Sequence, residues 1–393
     1  MLNLRINNEI PYFPITIYKH KVMIPSYGLS EPPQEHRLPS GQSLCLKPYR
    51  IMRNVRKISA SHNNNLCIDM NDALWMWGAK FSSVDVKPYR ELSTSYSNPD
   101  LYTVEYVPQK CMESVLTADA GAWHTLAVTK DGTLWAWGKN NAGQLGCGNC
   151  TDSMVPISIM DHVRSVFASE QQSFAIKEDG SLWGWGYNGR GILLDAPEFC
   201  TMPHLLMENV ESISASPEVV LVIKADHTLW GWGSQHAYSF FFQENPVKNY
   251  PPTPLALGAM RVSVAKIWGN DTFSFLISES GELFVLGNRG GPGNPIWQFK
   301  VSQTDGLYKL MEGTADAKIG YSFSIIRMQD GRVFSTGYNY AGQCGDGKSS
   351  GYRTKLVPLA SDAIDIAAGY SHGMLLQENG DLWIWGGDYG FAK

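Results

Sequence analysis

The sequence predicts an all-β fold, a seven-bladed β-propeller of four-stranded blades, and three observations carry that prediction. A unit typified by Asp131-Gly132-Thr133-Leu134-Trp135-Ala136-Trp137-Gly138 recurs with its last glycine at Gly78, Gly138, Gly186, Gly233, Gly287, Gly337 and Gly386, 47 to 60 residues apart. Its columns persist: three residues before the glycine stand Trp75, Trp135, Trp183, Trp230, Phe284, Phe334 and Trp383, and seven before it Asn71, Asp131, Asp179, Asp226, Ser280, Asp330 and Asn379. The third observation is an orphan segment near the start of the chain that matches the segment missing after the last unit. A period near 50 over most of 393 residues points to one repeat architecture rather than to several domains.

Taken in order, residues 1–43 carry Pro11, Pro14, Pro25, Pro32, Pro33 and Pro39. Proline removes a backbone donor, so this density excludes a long helix and disfavours central strands. An N-terminal arm packed on the propeller is expected there, with the propeller itself over residues 44–393.

Next comes Pro48…Met52…Val55, spaced like Pro108…Met112…Val115, Pro156…Met160…Val163 and Pro203…Met207…Val210. Those three copies follow a WxWG unit, whereas this one follows none, and only seven residues remain after Gly386. The N-terminal copy is therefore expected to complete the last blade and close the ring, which leaves no sheet edge between the first and last units. A solenoid is the alternative architecture; it needs terminal caps and gives no reason for the orphan strand.

Within the second unit the expected strands are Val115–Ala118, His124–Thr129, Thr133–Trp137 and Val155–Ile159. The second and third form a hairpin across Lys130-Asp131-Gly132, where Asp-Gly suits the positive φ of a tight turn. Trp135 and Trp137 share one face and Leu134 and Ala136 the other. Both faces are apolar, as expected of a sheet between neighbouring sheets, so the WxW residues read as core.

Composition agrees. The chain has 38 glycines, 13 tryptophans and 18% charged residues, where about 7% glycine and about 25% charged are usual. A net charge of −5 and the absence of any Lys/Arg run argue against nucleic acid and anionic membranes. No stretch approaches about 18 apolar residues, and Asn7, Asn8 and Glu9 interrupt any signal-like start. A cytoplasmic monomer is the expectation. Seven cysteines at unrelated repeat positions read as thiols; Cys147 and Cys150 form a CxxC without a second pair, and no metal or cofactor is expected.

At Gly121-Ala122-Trp123-His124-Thr125-Leu126-Ala127-Val128, through Asp131 to Gly138, and on to Asn140-Asn141-Ala142-Gly143-Gln144-Leu145-Gly146, the sequence resembles a regulator of chromosome condensation repeat. Tyr338-Asn339-Tyr340-Ala341-Gly342-Gln343-Cys344-Gly345 is a second good match. The resemblance covers about residues 48–393. It implies a seven-bladed propeller closed by a strand from the other terminus, in a family that includes a nucleotide exchange factor for the small GTPase Ran, hydrolase inhibitors, ubiquitin-ligase components and scaffolds. The loop that follows the glycine departs from the repeat pattern at Ala79–Val107, Ser234–Pro252 and Asn288–Gly306, and is half kept at Tyr187-Asn188-Gly189-Arg190-Gly191.

Candidate chemistry is sparse. Fourteen residues before the glycine stand Asn64, His124, Gln172, Val219, Phe273, Phe323 and His372. A position that accepts Val and Phe is a packing site with optional hydrogen bonding, not a catalytic column. Gly287 to Pro295 is glycine-rich, but Pro292 and Pro295 remove donors and no helix follows to cradle a phosphate. Aromatics in the replaced loops are the interface candidates: Tyr238, Phe240, Phe241, Phe242 and Tyr250 in the fourth unit, Trp297 in the fifth, and Tyr96 and Tyr102 in the first. Aromatic residues are enriched at interface cores, although long loops also fold such residues into satellite cores.

The expected function is a non-catalytic scaffold that holds a protein partner through the variable loops of one propeller face. Nucleotide exchange on a small GTPase is the alternative that the resemblance implies. An enzyme acting on a polysaccharide is a third reading, for which Asp85, Glu105, Asp195 and Glu244 would have to converge in pairs roughly 5–9.5 Å apart.

Overall fold

The computed structural model describes residues 45–61, 64–81, 102–234, 249–255, 264–269, 273–287 and 307–387. They form seven four-stranded antiparallel sheets. In blade 1 the strands are Val55–Ser61, Asn64–Asp69, Leu74–Phe81 and Tyr102–Met112, and in blade 2 Val115–Ala120, His124–Thr129, Leu134–Gly138 and Ser153–Met160. Blades 3 to 6 repeat this order over residues 163–207, 210–254, 264–311 and 314–360. Blade 7 takes three strands from Ala363–Ala368, His372–Gln377 and Leu382–Gly386, and its fourth from Cys45–Met52.

The expected ring closure is present. Met52 pairs with Leu382 as Met112 pairs with Leu74, Met160 with Leu134 and Met207 with Leu182. The orphan segment thus takes the fourth-strand place in blade 7. Its Tyr49 is buried with Val55, Ile58 and Trp77 of blade 1 and Met374, Leu376 and Ile384 of blade 7, and Arg50 donates to Asp381 at 2.9 Å.

The core lies between blades, as two-faced apolar strands require. Leu126, Val128, Leu134 and Ala136 of blade 2 pack with Phe174, Ile176 and Trp185 of blade 3, which in turn meet Val220, Val222 and Trp232 of blade 4. In each WxW pair the second tryptophan is core: Trp77, Trp137, Trp185, Trp232 and Trp385 are buried. The first is not. Trp75, Trp135, Trp183, Trp230 and Trp383 are half-buried, because each lies over the hairpin turn and donates its indole N–H there. Trp183 reaches Ser181 Oγ at 2.9 Å, Trp230 reaches Thr228 Oγ1 at 3.0 Å and Trp75 reaches Asp69 Oδ2 at 2.9 Å. A ring with one polar edge is held where one side is dry and the other meets a hydroxyl or carboxylate.

The turn itself has one residue at positive φ, Gly132 at 82°, and Gly132 N–H donates to Thr129 O at 2.9 Å. Asp131 stays at negative φ and accepts from Thr129 Oγ1 (2.6 Å) and Thr133 N (3.1 Å). These bonds, Thr129 first, hold its carboxyl below the usual range. This is a three-residue loop with glycine at the left-handed position rather than a two-residue turn with two. Asp72 and His227 take the same conformation in blades 1 and 4, at φ 63° and 62°.

The turn also joins the blades. The carbonyl at the left-handed residue accepts from the first amide of the next blade: Asp72 O from Val115 N, Gly132 O from Val163 N, Gly180 O from Val210 N, Gly281 O from Thr314 N and Gly331 O from Ala363 N, at 2.9–3.0 Å. Gly380 O from Val55 N, at 3.1 Å, closes the series across the seam.

The column glycine has a different constraint. Gly138 has φ 108°, and a Cβ there would lie 2.4 Å from Trp123 O, whereas Gly148 has φ 85° with nothing within 4 Å of the added carbon. Gly148→Ala is expected to cost about 1–2 kcal/mol for the left-handed backbone alone. Gly138→Ala adds a backbone clash and should cost at least about 2 kcal/mol more. Urea unfolding of the two variants checks this, and equal losses would show that strand proximity does not fix the glycine column.

Candidate functional site

Strand direction decides which loops share a face. His124 pairs with Gly138, and Gly138 pairs with Ser153. Hence the first-to-second and third-to-fourth connections of a blade leave from one end of the ring, and the hairpin turns from the other. All three replaced loops, residues 82–101, 235–248 and 288–306, join a third strand to a fourth. The strand ends they join, Phe81 and Tyr102, Ser234 and Asn249, and Gly287 and Leu307, all lie at one end of the ring, the loop face.

Of the residues the sequence singles out, Tyr96, Tyr238, Phe240, Phe241, Phe242 and Trp297 lie outside the described residues. Tyr102 and Tyr250 lie on fourth strands, paired through their backbones with Phe81 and Gly233; their side chains are outside the described set. Among the enzyme candidates, Asp85 and Glu244 are outside it, and so is the side chain of Glu105. Asp195 is exposed and lies 2.9 Å from His204 Nε2.

Where the repeat loop is kept, its polar residues point inward. Asn140 Oδ1 accepts from Leu145 N at 2.8 Å, and its Nδ2 donates to Asn149 O and Thr151 O at 2.9 and 3.0 Å. Gln144 Oε1 accepts from Ala142 N at 2.8 Å. Asn339 and Gln343 repeat this in blade 6, and Asn188 repeats the asparagine half in blade 3. The motif is thus an internal staple. Its backbone reaches the next blade: Gln144 O accepts from Trp185 Nε1 (2.9 Å) and Ser173 Oγ (2.7 Å), and Gln343 O accepts from Trp385 Nε1 at 2.8 Å.

That bond settles the state of His124. Ser173 Oγ gives its single proton to Gln144 O, so it must accept from His124 Nε2, 2.8 Å away. His372 Nε2 lies 2.7 Å from the acceptor Asn65 Oδ1 across the closing seam. Both rings are buried, and burial lowers their pKa values to about 3 and about 4. They are neutral blade-to-blade hydrogen-bond donors, consistent with a packing column.

Charged side chains also sit on the inner, first strands. Lys57 donates to Thr117 at 2.7 Å; burial pushes its ammonium down, against the pull of Asp365 and Asp119. Asp119 accepts from Ser59 Oγ (2.5 Å) and Ala168 N (2.9 Å), tying blades 1, 2 and 3, and burial pushes the carboxyls of Asp119 and Asp365 up. Among the described residues, no group of three or more His, Cys, Asp or Glu side chains is placed to hold a metal ion. Cys147 and Cys150 are free thiols. No helix among the described residues is long and apolar enough to cross a membrane.

The loop face carries two aromatic groups that sequence reasoning passed over. Tyr321 and Tyr370 stack with ring centres 4.3 Å apart and planes 16° from parallel. Tyr338, Tyr340 and Tyr352 form a second cluster, at 4.9, 5.3 and 6.3 Å. The available signal was the column sixteen before the glycine, which is tyrosine only in blades 6 and 7.

The family model described as the regulator of chromosome condensation (RCC1) repeat matches residues 117–144 and 316–343, and a second model so described matches 131–176 and 330–376. Protein RCC2 of Mus musculus is 32% identical over 113 residues, 28% of this chain and 19% of that protein. The secretion-regulating guanine nucleotide exchange factor of Bos taurus is 30% identical over 136 residues, 31% and 28% of the two. The matched stretches thus span between about a fifth and under a third of these relatives. Among solved structures, human WBSCR16 superposes with a TM-score of 0.67 at 17% identity, covering 94% of both chains. Prp20p of Saccharomyces cerevisiae, described with binding to Gsp1p and histones, gives 0.63 at 16% identity over 85% of this chain and 82% of its own. These likenesses show the same fold.

The two buried histidines give a pH prediction. The unfolded chain protonates histidine near 6.5 and the folded state well below it, so the unfolded state binds more protons. Stability therefore falls as pH drops below 6.5 toward the folded values, by about 2 kcal/mol per histidine at pH 5. The raised carboxyls of Asp119 and Asp365 act in the opposite direction, so the difference between proteins is the readout. His124→Gln with His372→Gln should flatten urea-unfolding stability between pH 7 and 5; an unchanged slope would mean that the rings are not held neutral.

Proposed function

We propose that this chain, a seven-bladed propeller carrying regulator of chromosome condensation repeats, is a non-catalytic interaction scaffold that holds a protein partner on its loop face. The observation that supports the reading is topological. Three of the six third-to-fourth connections in the chain abandon the repeat motif, and the strand ends that flank all three lie at the same end of the ring. The kept loops spend their polar groups on internal bonds and on the next blade, so variable recognition falls to the replaced ones. Tyr238, Phe240, Phe241, Phe242, Tyr250, Trp297, Tyr96 and Tyr102 are the partner-binding residues on this reading, since aromatic side chains bury much area at small entropic cost. The scaffold works as a cytoplasmic monomer, with neither nucleic acid nor membrane as its partner.

Capture of a host protein by the purified chain tests this. Phe240→Ser, Phe241→Ser and Phe242→Ser together should reduce capture at least tenfold while leaving the melting temperature within a few degrees of the parent. Undiminished capture would remove these residues from the interface, and a large stability loss would make them a satellite core.

Nucleotide exchange on a small GTPase is the second reading, supported by a relative named as a guanine nucleotide exchange factor and by the Gsp1p binding reported for Prp20p. Catalytic amounts of the chain should then accelerate release of labelled GDP from at least one GTPase in a panel. Release at the intrinsic rate throughout would end that reading.

A further inference from the structure

Each blade ends in a fourth strand whose outer side no described strand covers, and proline blocks that edge in six blades of the seven. Two columns of the fourth strand carry it. One is the residue paired with the first aromatic of the repeat, Pro254 opposite Trp230 and Pro358 opposite Phe334. The other lies two residues earlier, at Pro48, Pro108, Pro156, Pro203 and Pro252. Proline has no amide to give to a ladder, and backbone direction repeats every second residue, so both columns face away from the third strand. In blade 5 these columns hold Lys309, paired with Phe284, and Leu307. Its edge is the one of the seven that keeps both outward amides.

A second protective device is missing from the same place. In the other six blades the pairing slips register beside these columns, as between Ala136 and Gly138 in blade 2 and between Ser335 and Gly337 in blade 6. Such bulges turn an edge away from an approaching strand. In blade 5 the pairs Phe284 with Lys309, Val285 with Tyr308 and Leu286 with Leu307 run on without one. Among the described residues, neither Leu307 N nor Lys309 N has a partner outside its own sheet. Lysine on an edge ordinarily repels a second strand. Here the Lys309 ammonium is already paired with Glu282 and, at 2.7 Å, with Glu312, which is 75% exposed. Two carboxylates against one lysine leave this edge with a net negative charge.

We propose that the outer edge of blade 5, Leu307–Met311, is a docking site for an extended, basic, proline-free strand of a partner protein. The backbone groups of Leu307 and Lys309 supply two donors and two acceptors to the added strand, and main-chain bonds of this kind give strand addition its affinity. Glu312 supplies the preference for a lysine or arginine side chain. A second copy of this chain is the wrong occupant, because edge against edge would set like charge against like charge. The site lies on the rim of the ring and does not rest on the loop-face reading.

The test follows amide exchange in the full chain with a probe peptide of alternating valine and lysine. The peptide should slow exchange at Leu307 and Lys309 at least about fivefold, while Leu356, on an edge that carries proline, exchanges as before. Leu307→Pro gives blade 5 the residue that five other blades hold in this column. It should keep the melting temperature within a few degrees and weaken peptide binding, read by fluorescence anisotropy, at least about tenfold. A peptide of alternating valine and glutamate should bind the parent at least tenfold more weakly than the lysine peptide. Unchanged exchange at Leu307 and Lys309 overturns the proposal, and that readout on the parent stands even if the variant fails to fold. Equal binding by a folded Leu307→Pro variant, or equal binding of the two peptides, overturns it as well. So does slowing that grows with protein concentration in the absence of peptide, since that assigns the edge to a second copy. Partner capture on the loop face is read separately, with the Phe240 to Phe242 variant.

Discussion

The ring depends on one hydrogen bond repeated around it: at six of the seven hairpin turns, the carbonyl at the left-handed residue accepts the amide that opens the next blade. The local conformation makes the long-range bond possible. A left-handed residue turns its carbonyl out of the hairpin, and the first residue of the next blade arrives there from the fourth strand. One residue thus ends a hairpin and registers two sheets. This accounts for the persistence of Asp-Gly at the turn, and for the substitution of Asp72 and His227 only with retained positive φ. Aspartate before the glycine is explained by its own bonds to the turn, which pre-form the loop before the next blade is in place.

Closure extends the same logic to the termini. Without Cys45–Met52, blade 7 would present Leu382–Gly386 as an open edge and leave Met374, Leu376 and Ile384 half-covered. With it, the edge is paired and blade 7 becomes a packing partner for blade 1. Gly380 O to Val55 N, His372 to Asn65 and Arg50 to Asp381 then cross or brace the seam. Because every blade packs on two neighbours, stability belongs to the ring rather than to any one blade. Sequence can therefore vary in third-to-fourth connections, as it does at residues 82–101, 235–248 and 288–306.

The repeat columns made much of this legible. The spacing Pro48…Met52…Val55 revealed the closing strand because it matched segments whose methionine faces the same leucine column. The His124 column was readable as packing because Val219 and Phe273 occupy it. What the columns could not show is what one blade's column touches in the next. The partner of Trp185 is the carbonyl of Gln144, and carbonyls leave no mark on residue identity. For the same reason the first tryptophan of each pair reads as core but is half-buried: its turn partner is Asp69 in one blade and Ser181 in another. The stacked pair Tyr321 and Tyr370 was missed because only blades 6 and 7 carry tyrosine in that column, and repeats direct attention to what recurs. The aromatics proposed for the interface in residues 235–248 and 288–306 stand where the columns stop, and only the strand ends that flank them show a common face.

The seam is where this account is most exposed, and hydrogen–deuterium exchange measures it directly. If ring closure carries the fold, the strand-paired amides of Cys45–Met52 and of Leu382–Gly386 exchange only when the whole ring unfolds, at a common rate that rises together with added urea. Fast exchange of Cys45–Met52 while Leu382–Gly386 and the other blades stay protected would mean that the ring stands without its closing strand, and would contradict the account.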